Sequence, residues 1–274
     1  MKISVLKKII HKVVMVVLLI IIIFPFFWLL VSSFKYEKDI ITFPPTIFAS
    51  EVTFENYLKV WTSIPLLKNI VNTVIFAGGV MVISTFINSL AAYAFARMRF
   101  KGRNFFFYFV LLTMMMPFQI FMIPLFMEVN ALGLLDSYAG LIIPRMASAT
   151  GIFMMRSFFV SLPKELEESA RIDGLSEFKI FLKIMLPLCK PAMLTSALLT
   201  LMTNWKDLLY PLLLTRSTDM RTLPAGLALL AGENIFAYGP VMAGAVISIV
   251  PLLIVYIVLQ KYFVQGTLMS GMKE

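Results

Sequence analysis

From Val13 to Leu30 the chain carries no charged residue, close to the ~20 consecutive apolar residues that take a helix across a bilayer. Similar runs recur along the sequence, and composition agrees with them. Hydrophobic residues make up 60% of the chain and charged residues 14%, with a mean hydropathy of +0.90; a soluble domain averages about 45–50% and 25%. The chain reads as an all-α integral membrane protein. Its first run follows Lys2, Lys7, Lys8 and Lys12, exceeds the ~7–15 residues of a signal-peptide core, and is followed by no small-x-small cleavage site. An uncleaved span over residues 13–34 is therefore expected, kinked at Pro25, which is tolerable where neighbouring helices satisfy the freed carbonyl.

Five further spans are expected over residues 70–96, 105–127, 138–160, 192–214 and 241–262, giving six in one domain covering 1–274. Between the first two, Lys35, Lys38, Lys59 and Lys68 balance Glu37, Asp39, Glu51 and Glu55 around a Pro44-Pro45 break, as in an external segment. A second external loop carries Arg216, Asp219, Arg221 and Glu233. The basic clusters Lys2 to Lys12, Arg97 to Arg103, Lys164 to Lys190 and Lys261 to Lys273 all fall on the opposite side, which the positive-inside rule makes cytoplasmic. An even span count then places both termini in the cytoplasm. The third span contains Pro117 and Pro124. Its Met114, Met115 and Met116 are expected to fill irregular packing. Arg145 and Arg156, near the ends of the fourth span, are expected to snorkel to the headgroups.

Several function classes drop out. The net charge of +9 lies in short clusters beside apolar runs, so membrane lipid rather than nucleic acid is the expected surface partner. With one cysteine, Cys189, and one histidine, His11, neither an internal disulfide nor a Cys/His metal site is expected. No P-loop, H-E-x-x-H or G-x-S-x-G motif occurs, so no catalytic residue, metal ligand or nucleotide site is assigned.

Residues 161–191 form a charged island among the spans. Ser161 and Pro163 make a helix start. Glu165, Glu167 and Glu168 suit the positive end of its dipole, and Glu167 with Arg171 is a favourable i, i+4 pair. Gly174 supplies a left-handed stop. Ser176 then N-caps a second helix in which Phe178, Phe181, Leu182 and Met185 share one face, and Pro187 and Pro191 turn the chain into the fifth span. By pattern alone two readings stand: an interfacial amphipathic loop, or a protein-docking turn, which the three acids favour.

The spacing Glu168-Ser169-Ala170, three residues, Gly174, nine residues, Ile184, one residue, Leu186-Pro187 resembles the EAA loop of ABC importer transmembrane subunits, with Ser169 in place of an alanine. The resemblance extends over most of the chain. It includes Thr53-Phe54-Glu55-Asn56-Tyr57, Leu132-Gly133-Leu134, Gly140-Leu141-Ile142-Ile143-Pro144, Ala170-Arg171-Ile172-Asp173-Gly174, Pro211-Leu212, Thr222-Leu223-Pro224 and Gln260-Lys261-Tyr262-Phe263-Val264. Together these look like the carbohydrate-uptake, maltose-type subfamily. Where that subfamily usually carries Trp-Asn-Asp in the fifth span, this chain has Trp205-Lys206-Asp207.

The resemblance implies a permease that is not itself an enzyme. Its partners would be a second permease subunit, a dimer of cytoplasmic ABC subunits that use ATP and Mg, and an extracytoplasmic solute-binding protein. Glu168, Ser169, Ala170, Asp173 and Gly174 would dock on the ATPase, while Phe178, Phe181, Leu182, Ile184, Leu186 and Pro187 tie the loop to the bundle. Polar and aromatic residues at mid-span tend to face a cavity, which makes Gln119, Asn204, Trp205, Asp207 and Tyr210 candidates for the substrate path. The competing roles are hydrogen-bond glue for Asn88, Ser89 and Thr200, interfacial anchoring for Trp205 and Tyr210, and neutralisation of Asp207 by Lys206. A sugar is the expected cargo. A glycerophosphate or polyol is the alternative, and a path lined by more arginine would favour a phosphate ester. A stand-alone secondary transporter or a membrane scaffold would need no acidic docking turn.

Overall fold

The computed structural model describes the backbone of residues 2–233 and 238–271 and the side chains of 7–232 and 238–258. The side chains of Lys2 and Glu233, the Gln260-to-Val264 stretch and the basic cluster from Lys261 to Lys273 lie outside the described side chains. All regular elements among the described residues are helical: α1 Lys2–Ser33, α2 Glu37–Ile40, α3 Glu55–Ser63, α4 Leu66–Arg97, α5 Arg103–Thr113, α6 Phe118–Ala131, α7 Tyr138–Ile142, α8 Ala149–Ser161, α9 Glu165–Ile172, α10 Glu177–Leu188, α11 Lys190–Trp205, α12 Leu209–Leu214, α13 Leu223–Glu233 and α14 Tyr238–Gly271.

Three of these, α1, α4 and α14, contain stretches long and apolar enough to cross a membrane unaided. Two bent pairs, α5 with α6 at 101° and α10 with α11 at 81°, raise the number to five if each is one broken span. Proline chemistry accounts for much of the breakage. Pro117 has no N–H to donate and sits in extended backbone at ψ 141° before α6, which ends the preceding helix. The three methionines lie at this bend and are exposed, Met115 by 81%; they do not fill packing space within the chain as expected. The stretch expected as the fourth span is α7, a 3-10 turn Ile143–Arg145 containing Pro144, and α8. The one expected as the fifth is α11 and α12, interrupted around Asp207.

The chain divides into two compact units. The first holds the residues up to Leu66 together with Gly226–Pro251. Within it α1 is apolar all round from Val13 to Leu30, and its apolar side chains from Ile9 to Phe24 are roughly half exposed, so the surroundings of that stretch must be lipid or another subunit. The polar end of this unit is tied by hydrogen bonds. The Asn56 amide donates to the carbonyls of Ser33 at 2.9 Å and Lys35 at 2.8 Å. The Glu37 carboxylate accepts from the backbone N–H groups of Tyr238 at 2.8 Å and Gly239 at 3.0 Å, satisfying free donors at the start of α14.

The second unit, Leu67–Ala225 with the residues from Leu252 on, is organised by buried polar side chains of α4. Asn72 donates to the carbonyls of Asp219 and Arg221 at 2.8 and 2.9 Å and accepts from the Tyr138 hydroxyl at 2.6 Å. Asn88 donates to the hydroxyls of Ser84 and Ser148, and its carbonyl accepts the Ser148 N–H at 2.9 Å. Ser148 in turn caps α8 through Gly151. Asn88 is thus interhelical glue, whereas Ser89 bonds its own helix at Thr85. The glue works only at close range: a Cβ on Gly151 would lie 2.2 Å from the Asn88 amide nitrogen, while one on Gly78 would meet nothing within 4 Å.

Gly151→Ala is therefore expected to destabilise the detergent-solubilised chain by about 1–3 kcal/mol through overpacking. Gly78→Ala should be neutral or stabilising by up to about 1 kcal/mol through helix propensity. Thermal unfolding of the two variants checks both.

Candidate functional site

Two polar sites stand out in the second unit, and the first is the loop around α9 and α10. Helix α9 starts at Glu165, two residues after Pro163, with three acids in its first turn. It ends in a Schellman motif: the N–H of Leu175 bonds the Ala170 carbonyl and that of Gly174 bonds the Arg171 carbonyl, both at 3.0 Å, with Gly174 at φ +79°. A residue with a Cβ is disfavoured in that conformation by roughly 1–2 kcal/mol.

The turn has two distinct faces. Inward, Ala170 is 3% exposed and packs in a core with Ala92, Tyr93, Met155, Phe159, Ile180, Phe181 and Met185. Outward lie Glu168, Ser169, Asp173 and Gly174, together with Ile172, which is 87% exposed. Of the expected docking residues, then, Ala170 faces the bundle and the other four face away. In α10 the packed residues are Ile180, Phe181 and Met185, with Ile184 and Leu186 against them. Phe178, Leu182 and Pro187 are exposed. A π-helical turn covers Phe181–Met185, and the packed stripe runs through Ile180, Phe181, Ile184 and Met185 at four-residue spacing, leaving Phe178 and Leu182 outside it.

Charge binds the inward face to α4. Arg97 and Glu167 approach to 3.2 Å with both side chains 4% exposed. Their facing atoms are not aligned as a hydrogen bond, and Arg97 also donates to the Leu162 carbonyl. Arg171 reaches Glu167 at 3.5 Å and Glu177 at 2.6 Å, and the Tyr93 hydroxyl donates to Glu177 at 2.9 Å. Burial raises the Glu167 pKa above the ordinary carboxylate value, against the pull of Arg97 and Arg171. The hydrogen bond from Arg171 lowers that of Glu177, outweighing burial. The signs differ. The Glu177 contribution is present above the unfolded value of about 4.3 and is lost as pH falls through its depressed folded pKa. The Glu167 shift lowers stability as pH rises from that unfolded value through its folded pKa. Glu168, by contrast, has no ion pair or hydrogen bond of its side chain among the described residues.

The second site lies where two helices break. Arg145, in the 3-10 turn after α7, places one guanidinium nitrogen 2.5 Å from Asp207 and another 2.7 Å from the Asn204 side-chain oxygen. Its central carbon lies 3.9 Å over the centre of the Tyr210 ring, with Phe76 and Phe118 at 5.9 and 5.8 Å. The second Asp207 oxygen accepts the Tyr210 backbone N–H at 3.2 Å, and the Tyr210 hydroxyl donates to the Gly140 carbonyl at 3.3 Å. Beside this cluster is a cavity of about 360 Å³ whose polar wall includes Arg145, Ser148, Thr150, Thr200, Thr203 and Asn204.

Asn204, Asp207 and Tyr210 are thus brought together, but by a residue expected elsewhere. The Arg145 side chain is engaged by Asp207 and Asn204 inside the unit, and that of Arg156 folds over the Phe107 ring at 4.1 Å. Lys206 is exposed, so Arg145 rather than Lys206 neutralises Asp207. Trp205 turns away, buried with Ala77 and Leu201, and Gln119 is exposed at the start of α6 and lines no part of the cavity. The one sequence signal for Arg145 was an arginine close behind the helix-breaking Pro144. Among the described residues no cluster of His, Cys, Asp and Glu could hold a metal ion.

Removing one member of a buried ion pair strands the other. Glu167→Ala should therefore cost about 3 kcal/mol and speed amide exchange in α9, whereas Glu168→Ala, on the open face, should leave exchange there unchanged. Hydrogen–deuterium exchange of the two variants checks this.

Comparison with known proteins is consistent across sequence and structure. Residues 84–268 match the family of binding-protein-dependent transport system inner membrane components. The arabinooligosaccharides transport system permease protein AraQ of Halalkalibacterium halodurans is 38% identical over 92% of this chain and 91% of its own length. The sn-glycerol-3-phosphate transport system permease protein UgpE of Escherichia coli is 32% identical over 89% and 90%. A chain of a bacterial ABC transporter involved in import of the acidic polysaccharide alginate superposes with a TM-score of 0.80 at 27% identity, covering 94% of this chain and 96% of that one. The chain is a multi-pass ABC transporter permease, a member of the family of binding-protein-dependent transport system inner membrane components.

Proposed function

We propose that this chain forms half of the translocation path of an ATP-driven importer for a sugar or oligosaccharide and carries ATPase motion into the membrane through residues 161–191. The two-faced turn at α9 is the observation that carries the reading. Its outer face offers a free carboxylate at Glu168, an exposed apolar side chain at Ile172 and a backbone held by Gly174. Its inner face is fixed to α4 by packing and buried charge. A partner seated on the outer face would therefore move α4 as it moved the turn, with little slack between.

In this reading six spans, some of them broken, place both termini in the cytoplasm, as the basic clusters suggest. The second permease subunit surrounds much of α1, the cytoplasmic ABC dimer binds ATP and Mg, and the solute-binding protein delivers cargo from outside. The chain itself transmits and conducts, and it performs no hydrolysis. ATP shifts the population of two access states because the ATPase grips the turn differently in each. The hydroxyl-lined cavity beside Asn204 and Tyr210 suits a polyhydroxylated solute, and the 38% identity to an arabinooligosaccharide permease supports a sugar.

Ile172→Glu, a change that touches no core residue, should reduce the ATPase subunit recovered with tagged chain about tenfold or more. Gly174→Asp should leave assembly largely intact but abolish coupled uptake. Co-purification and vesicle uptake check the pair; normal uptake by both variants would remove the docking role from this turn.

A further inference from the structure

The cavity beside α11 has an electrostatic peculiarity. Among the described residues its wall carries one ionisable side chain, Arg145, and that charge is already matched. Asp207 stands 2.5 Å from the guanidinium without itself lining the cavity. Its other oxygen is held by the Tyr210 N–H, so its position does not depend on Arg145 alone. The guanidinium carbon sits 3.9 Å over the Tyr210 ring, and Asn204 takes a further donor. A free guanidinium in such a place would be a strong site for a carboxylate or phosphate, whose geometry its planar fork fits. A paired one leaves hydroxyl and amide groups to set the chemistry.

We propose that Asp207 is a selectivity residue: by holding Arg145 as a neutral pair it fits the cavity to an uncharged polyhydroxylated solute and against a phosphate ester or carboxylated sugar. The inference deepens the importer reading and rests on it for the word solute; the charge assignment stands on the geometry alone. An incoming anion must displace a carboxylate already in place, whereas a neutral sugar need only bond the Ser, Thr and Asn side chains of the wall. Asp207→Asn keeps the shape and an acceptor for Tyr210 and removes only the charge, which would turn the same cavity into an anion site.

The test uses the assembled membrane complex with Cys189→Ala and Thr203→Cys, a single thiol on the cavity wall. Its reaction rates with a sulfonate-bearing and a trimethylammonium-bearing methanethiosulfonate report the local potential. With Asp207 present the anion-to-cation rate ratio should match that of a small free thiol. Asp207→Asn should raise it about tenfold or more, as expected for one uncompensated charge at short range, and Arg145→Gln should lower it. Protection of the same thiol from a neutral maleimide then reads selectivity. Arabinotriose should protect the native pair better than its aldonic acid, and Asp207→Asn should reverse the order. An unchanged rate ratio in Asp207→Asn, or protection by neither sugar, would overturn the proposal. Selective protection in a complex that fails to transport arabinotriose would sustain it while removing the importer reading.

Discussion

The buried contact between Arg97 and Glu167 fastens the α9 turn to the long helix α4. One partner ends the long membrane helix α4, and the other lies in the first turn of a helix whose opposite face is open. A charge taken out of water is destabilising unless it is matched, so neither side chain can leave without the other. That mutual dependence makes the turn and α4 one mechanical body. Around it, Arg171, Glu177 and Tyr93 extend the same polar contact, and the Phe181 and Met185 side chains fill the space beneath.

The same constraint recurs in the interior of the second unit. A mostly apolar chain cannot break a helix without satisfying the groups it frees. The breaks at Ile143–Arg145 and around Asp207 meet this by serving each other, since Asp207 receives both the guanidinium and the Tyr210 N–H. Asn72 and Asn88 do comparable service for the loop at Asp219 to Arg221 and for the start of α8. Asp207, Asn72 and Asn88 are thus placed to serve irregular backbone, and the cavity opens beside one such place.

Much of this was legible from residues alone. Long uncharged runs gave the helical membrane character, and Glu168 to Pro187 carried the family resemblance through spacing that few other sequences show. Less visible were the features that depend on distant partners. Arg97 read as one more basic residue in a topology cluster, because nothing local to it mentions Glu167. Arg145 read as a snorkelling residue, because the break that turns it inward needs Asp207, far along the chain. In α10 nearly every second residue is apolar, so two neighbouring helix faces compete, and Ile180 was passed over for Phe178 and Leu182, which the fold leaves exposed. Hydropathy located the apolar stretches but not the bends within them, which prolines only punctuate.

The central claim is that the outer face of the α9 turn is where an ATPase subunit sits. The most direct measurement is site-specific photo-cross-linking in the assembled complex, with the probe placed in turn at Ser169, Ile172 and the buried Ala170. Adducts with the ATPase subunit are expected from Ser169 and Ile172 and none from Ala170. Adducts with lipid alone from Ser169 and Ile172 would contradict the claim and return the turn to an interfacial helix pair.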